Sequence, residues 1–359
     1  MASLLRQSTV CHELASGWMH RGIDLLNANA PVSLEEAVRC FDKAIALRRT
    51  LPLAEDPRHR YLLAGGWMNR GDALARLGAK EHLAESVKSY DEALGLLRTL
   101  PLDEDSLYPR RLAIAWINRG FARQKGDSPA DVTEAIRCFR EALAVLEDSP
   151  AAAIADPGLL RAGALINLAE ALLKTSNQPV AEALSPARQA LALIKITERT
   201  DATSAEAGFK ARHVLCRAIA AKSSDGKSIP PELTEEATHA VDEGLALARH
   251  WEERGEGRFR ELAEDLFRFG CRIYPTGQPR FLAEFILENL DPKKAGSILP
   301  LNRDMHEAAV AALWNALREI QRAGFPLPST PRFEQLLENL QRLRVTEERL
   351  EELRQAALV

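Results

Sequence analysis

Three tryptophans set the frame for this chain. Trp18, Trp67 and Trp116 follow one another at intervals of 49 residues. Each opens a closely similar pentad: Trp-Met-His-Arg-Gly ending at Gly22, Trp-Met-Asn-Arg-Gly ending at Gly71, and Trp-Ile-Asn-Arg-Gly ending at Gly120. The same step leads to weaker copies, Leu165-Ile-Asn-Leu-Ala169 and Val214-Leu-Cys-Arg-Ala218. Pro52, Pro101 and Pro150 keep the interval too, whereas Trp251 and Trp314 fall outside it. A fixed period of roughly 20–50 residues marks an array of stacked units, none of which buries its apolar face alone.

Each unit reads as two helices. In the second, Leu63, Trp67, Gly71 and Leu74 recur at helical spacing over 60–77, with Gly78 as the stop. Val87, Tyr90, Ala93, Leu94 and Leu97 mark a second helix over 83–100, which Pro101 closes. Gly22, Gly71 and Gly120 stand four residues after a Trp, so Gly and Trp share a helix face and the second helix can approach closely there. The second helices carry Ala37-x3-Phe41-x2-Ala44, Ser86-x3-Tyr90-x2-Ala93 and Ala135-x3-Phe139-x2-Ala142, a small-aromatic-small stripe expected to receive the Trp. Burying one Trp is worth roughly 4–6 kcal/mol as an upper bound.

Trp-x3-Gly followed by Ala-x3-Phe-x2-Ala resembles the tetratricopeptide repeat (TPR). The resemblance covers roughly 14–250 and is strongest in the first three units. Ile166-Asn167-Leu168-Ala169, with Asp56-Pro57 and Asp156-Pro157 between helices, is similar to the long, kinesin-light-chain type of repeat. Arg21, Arg70 and Arg119 depart from it by replacing a Leu, and Leu25, Leu74, Arg123 and Leu172 replace a later Tyr. The resemblance implies an all-α, right-handed TPR-like helical solenoid of helix-turn-helix repeats. Five repeats are expected, at about 14–56, 57–105, 106–156, 157–200 and 201–254, with Pro186 shortening one second helix. A degenerate repeat and helical capping region follows over 255–359, with helices at 279–290, 304–323 and 331–357.

Composition narrows the function classes. Lys and Arg number 47 against 51 Asp and Glu, for a net charge of −4, which excludes a dominant polycationic nucleic-acid binder. No apolar run reaches the length of a membrane span, and the first residues lack a signal-peptide core. Five cysteines in 359 residues read as thiols, so the expected location is cytoplasmic. No zinc, dinucleotide, P-loop or nucleophile-elbow motif is present; His306-Glu307 starts a zinc-protease motif, but Val310 stands where the second His belongs. Cys40 and Cys138, with Ser89 between them in phase, read as small packing residues. A non-enzymatic protein is expected, with no cofactor, no metal and no small-molecule substrate.

A solenoid offers a groove lined by its first helices. Met19, Met68, Ile117, Ile166 and Leu215 form one row, and His20, Asn69, Asn118, Asn167 and Cys216 the next. An Asn ladder can bond the backbone of an extended peptide through donor and acceptor together, or satisfy a loop carbonyl of the neighbouring unit. Asp72, Phe121 and Glu170 lie one turn on. The candidate partner-binding groove is therefore Met68, Asn69, Asp72, Ile117, Asn118, Phe121, Ile166, Asn167 and Glu170. It lacks the paired cations with which one TPR class holds a C-terminal carboxylate. The Arg row, Arg21, Arg70, Arg119 and Arg217, is expected to pack its stems while the heads reach an acid or stack on the preceding Trp.

The function expected is a protein-protein interaction scaffold or adaptor. The narrower resemblance, to the bacterial kinesin light chain family, implies association with the cytoskeletal filaments of bacterial tubulin. Two alternatives stand beside it: a peptide-sensing regulatory module acting on a separate enzyme or transcription factor, and a membrane-anchoring adaptor. Residues 332–359 carry mixed charge instead of a basic amphipathic face, which gives the membrane reading little support.

Overall fold

The computed structural model describes residues 2–126, 128–148, 157–175, 181–221 and 229–259, with a few positions beyond at 262–263, 265–266, 269–270 and 351. Among them the chain is helical, with ten α-helices, a 3₁₀ turn and no strand. It divides into two compact units, Met1–Gln178 and Pro179–Val359. The first holds α1 (Ala2–Ala28), α2 (Pro31–Arg49), α3 (Pro57–Leu77), α4 (Lys80–Leu97), α5 (Leu107–Gln124), α6 (Pro129–Asp148) and α7 (Pro157–Leu173). The second holds α8 (Ala181–Ile194), α9 (Ala202–Ala221), α10 (Pro231–Glu252) and the turn Gly257–Phe259. The boundary between the units falls inside the fourth expected repeat. The cap helices expected at 279–290, 304–323 and 331–357 lie outside the described residues, as does Trp314.

Local chemistry places the helix ends. Asp56 caps α3 by accepting from the Arg58 N–H at 2.8 Å, with Pro57 at the first helical position. That pair starts α3 three residues earlier than apolar spacing indicates. Gly78 closes it in the left-handed conformation, φ 75°. One period on, Asp105 accepts from the Leu107 N–H at 2.9 Å at the start of α5. The second helix of this pair also starts early, at Lys80, and ends at Leu97, where Thr99 and Leu100 close tight turns onto Leu96 and Leu97. Pro186 lies within α8 without ending it, and α8 is the shortest of the ten helices.

In the first unit each helix packs on the next, from α1 through α7, and the first helices also touch one another in the order α1, α3, α5, α7. This sequential stacking is the contact pattern of a helical solenoid. The glycine of each pentad makes the expected close approach to the second helix, and what it meets there is the aromatic of the small-aromatic-small stripe. A Cβ on Gly22 would stand 2.5 Å from the Phe41 ring, on Gly71 2.8 Å from Tyr90, and on Gly120 2.7 Å from Phe139. The aromatic of the second helix therefore seats on the glycine, and Phe41, Tyr90 and Phe139 are fully buried. The tryptophans sit beside this contact. Trp116 is buried and Trp18 and Trp67 are half-buried, each with cations over its ring. Lys43 lies 4.0 Å above Trp18, Arg49 5.0 Å above Trp67 and Arg98 4.7 Å above Trp116.

The Arg row ties the second helices together. Arg70, on α3, bonds Asp42 on α2 at 2.8 Å and Ser89 on α4 at 2.8 Å. Arg119, on α5, bonds Asp91 on α4 at 2.7 Å, Glu134 on α6 at 2.6 Å and the Cys138 sulfur at 2.9 Å. Arg21, at the start of the array, pairs with Glu36. Asp42 and Asp91 are one period apart, as are Glu36, Glu85 and Glu134, so one first-helix cation spans two successive second helices. Ser89 and Cys138 are small buried residues that also accept from this cation. A second cation row ties the first helices: Arg76 donates to the Leu26 carbonyl at 2.9 Å and Lys125 to the Ala75 carbonyl at 2.9 Å. Each satisfies a C-terminal carbonyl of the preceding first helix.

In the second unit α8 packs on α9 and α9 on α10. Its core is built around Arg212, fully buried on α9 and bonded to Glu198 at 2.7 and 2.9 Å and to Glu243 at 3.4 Å. Trp251 donates to the Glu198 carbonyl at 2.9 Å, and Phe259 packs between Phe209 and Trp251.

Candidate functional site

One face of three first helices in the first unit encloses a pocket of about 530 Å³. Its lining follows the helical repeat. On α3 it takes Leu62, Gly65, Met68, Asn69 and Asp72; on α5, Arg110, Arg111, Ile114 and Asn118; on α1, Ser16, Met19, His20 and Ile23. Offsets of three and four residues keep these side chains on one face of each helix. Arg48 completes the wall from the C-terminal end of α2.

Four of the nine residues expected in the groove line this pocket: Met68, Asn69, Asp72 and Asn118. Five do not. Ile117 is half-buried against the apolar cluster around Trp116. Phe121 is 47% exposed, with the Lys125 ammonium 5.0 Å from its ring centroid. Ile166 is buried in α7, where Asn167 and Glu170 are half-buried. The apolar row following the Trp positions is largely core: Met19, Met68, Ile166 and Leu215 are all buried.

The asparagine row is not uniform. Asn118 spends its amide N–H on Asp72, at 3.1 Å, across two first helices. Asp72 also accepts from the Tyr90 hydroxyl. Burial pushes the Asp72 carboxyl up from its ordinary range, against these two hydrogen bonds and the charge of Arg76. Asn69 is half-buried in the pocket with its amide not bonded to any described residue. The neighbouring-unit contact expected for the row thus exists at Asn118, and it is to a carboxylate instead of a loop carbonyl.

Sequence reasoning missed the guanidinium groups. Arg111 lies over the Tyr61 ring at 3.7 Å and donates to the Tyr61 carbonyl at 3.3 Å. Arg48, only 5% exposed, donates to the next carbonyl along, that of Leu62. Its Nε has no hydrogen-bond partner. Burial lowers Arg48 to about 10, with the Arg111 charge adding to the effect, and burial likewise lowers Arg111. Gly65 makes room for the pair, since a Cβ there would stand 2.8 Å from an Arg111 nitrogen. A signal for Arg111 exists: it stands seven residues before Asn118 on the same helix face. Arg48 gives none, because it has no copy one period on, where Leu97 stands.

The pocket combines apolar walls with guanidinium and amide groups, a chemistry of recognition. Among the described residues no group of His, Cys, Asp and Glu is arranged to hold a metal ion, and no helix is long and apolar enough to cross a membrane. His306 lies outside the described residues. No protein-family model matches the chain, and no curated protein matches it.

Proposed function

We propose that this chain is a non-enzymatic protein-protein interaction scaffold whose first unit receives an extended segment of a protein partner in the pocket across α1, α3 and α5. The observation that carries the reading is the pocket itself, which crosses three stacked helices and holds the half-buried Asn69 amide not bonded to any described residue. A groove of this kind suits an extended chain, whose backbone groups an amide side chain bonds in both directions. We further propose that the units are right-handed TPR-like repeats of the kinesin-light-chain type, a reading supported by the pentads and by the glycine contacts that recur with them.

Selection of peptides from a displayed random library on the full chain tests the scaffold reading. Binders are expected, and Gly65→Leu, which fills the pocket, is expected to weaken them at least about ten-fold. No enriched peptide, or unchanged affinity with Gly65→Leu, overturns the reading. The narrower proposal, attachment to bacterial tubulin filaments, rests on the resemblance of the repeats. Co-sedimentation tests it: at micromolar protein the chain is expected in the filament pellet, and recovery in the supernatant alone rejects that partner.

A further inference from the structure

We infer that Arg48 and Arg111 together receive one carboxylate, the side chain of an Asp or Glu on the partner's extended segment, with apolar side chains about three residues to either side. The inference rests on the peptide-binding reading above and names what the pocket selects.

Charge carries the argument. A buried guanidinium is ordinarily paired, because desolvating a charge costs far more than one hydrogen bond returns. Arg212, Arg119 and Arg70 in this chain all obey that rule, with acids within 3.4 Å. Arg48 and Arg111 do not. They sit on the consecutive carbonyls of Leu62 and Tyr61, and no described acid pairs with either. The acid in the pocket, Asp72, is held by Tyr90 and Asn118 instead. Arg48 lines the pocket with its buried Nε unpartnered, and the exposed Arg110 adds positive charge to the same wall. Two adjacent guanidiniums matched to one carboxylate is the arrangement that forked donors favour.

The walls say why the acid belongs inside a chain and not at its end. Apolar side chains stand on the two first helices that touch α3, whose carbonyls hold the guanidiniums: Met19 and Ile23 on α1 and Ile114 on α5. A bound segment therefore continues past the acid both ways. Packed helices stand about 8–10 Å apart. In a polyproline II segment, side chains three residues apart share a face at about 9 Å. The expected motif is thus apolar-x-x-acid-x-x-apolar.

The test uses the full chain and a library displayed so that no peptide has a free C-terminus. Winners are remade as amidated peptides and measured by fluorescence anisotropy. They are expected to carry the motif, and their Glu→Gln or Asp→Asn versions to bind at least about 30-fold more weakly, the loss typical of leaving a buried charge unpaired. Against Arg111→Met or Arg48→Met the same peptide change is expected to have little further effect. Arg48→Met is expected to unfold at the same temperature as the parent or higher, since it removes an unpaired buried charge. If that variant does not fold, the half-buried Arg111→Met carries the comparison alone. Winners without an acid, an undiminished Gln penalty in the Arg variants, or binding that requires a free C-terminal carboxylate overturns the inference while leaving the scaffold reading intact. Failure to select any peptide overturns both.

Discussion

The two compact units handle buried charge in opposite ways. In the first, the cation sits on a first helix and its acids on two second helices, so Arg70 and Arg119 act as clips at half-exposed seams. In the second, Arg212 is fully buried with Glu198, while α8 pairs with α10 through Arg188–Glu236 and Lys195, just after α8, pairs with Glu243 on α10. Arg217, which occupies the row position of Arg21, Arg70 and Arg119, is exposed. The first unit holds its register through many repeated contacts of modest worth. The second concentrates its electrostatics in one network. The former tolerates loss of a single clip; the latter does not.

Arg212→Ala presses hardest on that contrast. It leaves Glu198 buried and uncompensated, for an expected loss of about 3–5 kcal/mol. Chemical denaturation followed in the full chain is expected to show the loss in one transition if the units unfold separately. A cost below about 1 kcal/mol would mean that Arg212 is not the centre of the second unit. The counterpart in the first unit is steric. Gly71→Ala forces a Cβ against the immobile Tyr90 ring, for about 1–3 kcal/mol of overpacking partly offset by better helix propensity. Gly95→Ala, on the exposed side of α4 with nothing within 4 Å, is expected to stabilise by up to about 1 kcal/mol. Thermal unfolding of the two variants side by side separates contact from propensity; equal shifts would remove the glycine from the close approach.

Much of the first unit is legible because its contacts repeat. An interval of 49 residues returns the same pentad, the same second-helix aromatic and the same acids, so each contact is written in the sequence more than once. The residues of the contact and the approach of the second helix at the glycine were readable, but the side chain that seats there was not. Trp and Gly share a face, and periodicity alone does not say which of two aromatics seats on the glycine. The candidate groove was half legible for a related reason. The row of Asn69 and Asn118 is marked by its own repetition, whereas Arg48 and Arg111 each occur once in phase, as Leu97 and Leu62 show one period away. The second unit was least legible. Its Arg212 network depends on three residues without periodic copies, and a charged residue amid apolar ones reads as surface until its partners are placed.

The clips themselves form a graded series. The side chain of Arg119 is 9% exposed, that of Arg70 17% and that of Arg21 58%. Arg→Met at these three positions is expected to cost about 1–3 kcal/mol, about 1 kcal/mol and close to nothing, in that order, because exposed pairs are screened and partly buried ones are not. Denaturant midpoints rank them directly. A flat series would mean that the stems, packed against Trp116, Trp67 and Trp18, supply the stability and the ion pairs do not.

Two carboxylates of the first unit should bend stability in opposite directions as pH falls. Hydrogen bonds from Arg137, joined by those from Arg119, hold Glu134 down at about 2 despite partial burial. A depressed acid contributes stability that is complete above its ordinary value of 4.5 and is lost as pH falls toward 2. Asp72 is raised, chiefly by burial, so its penalty is present at neutral pH and is relieved as it takes up a proton. Glu134→Gln is therefore expected to flatten the fall in melting temperature between about pH 5 and 3, and Asp72→Asn to steepen it. Each effect is at most about 1 kcal/mol, since both groups belong to hydrogen-bonded clusters near the surface of a groove or seam. Slopes, compared with each variant's own value at neutral pH, isolate the titration from the packing change. If Asp72→Asn flattened the slope as Glu134→Gln does, the hydrogen bonds from Tyr90 and Asn118 and the charge of Arg76 would outweigh burial at the Asp72 carboxyl.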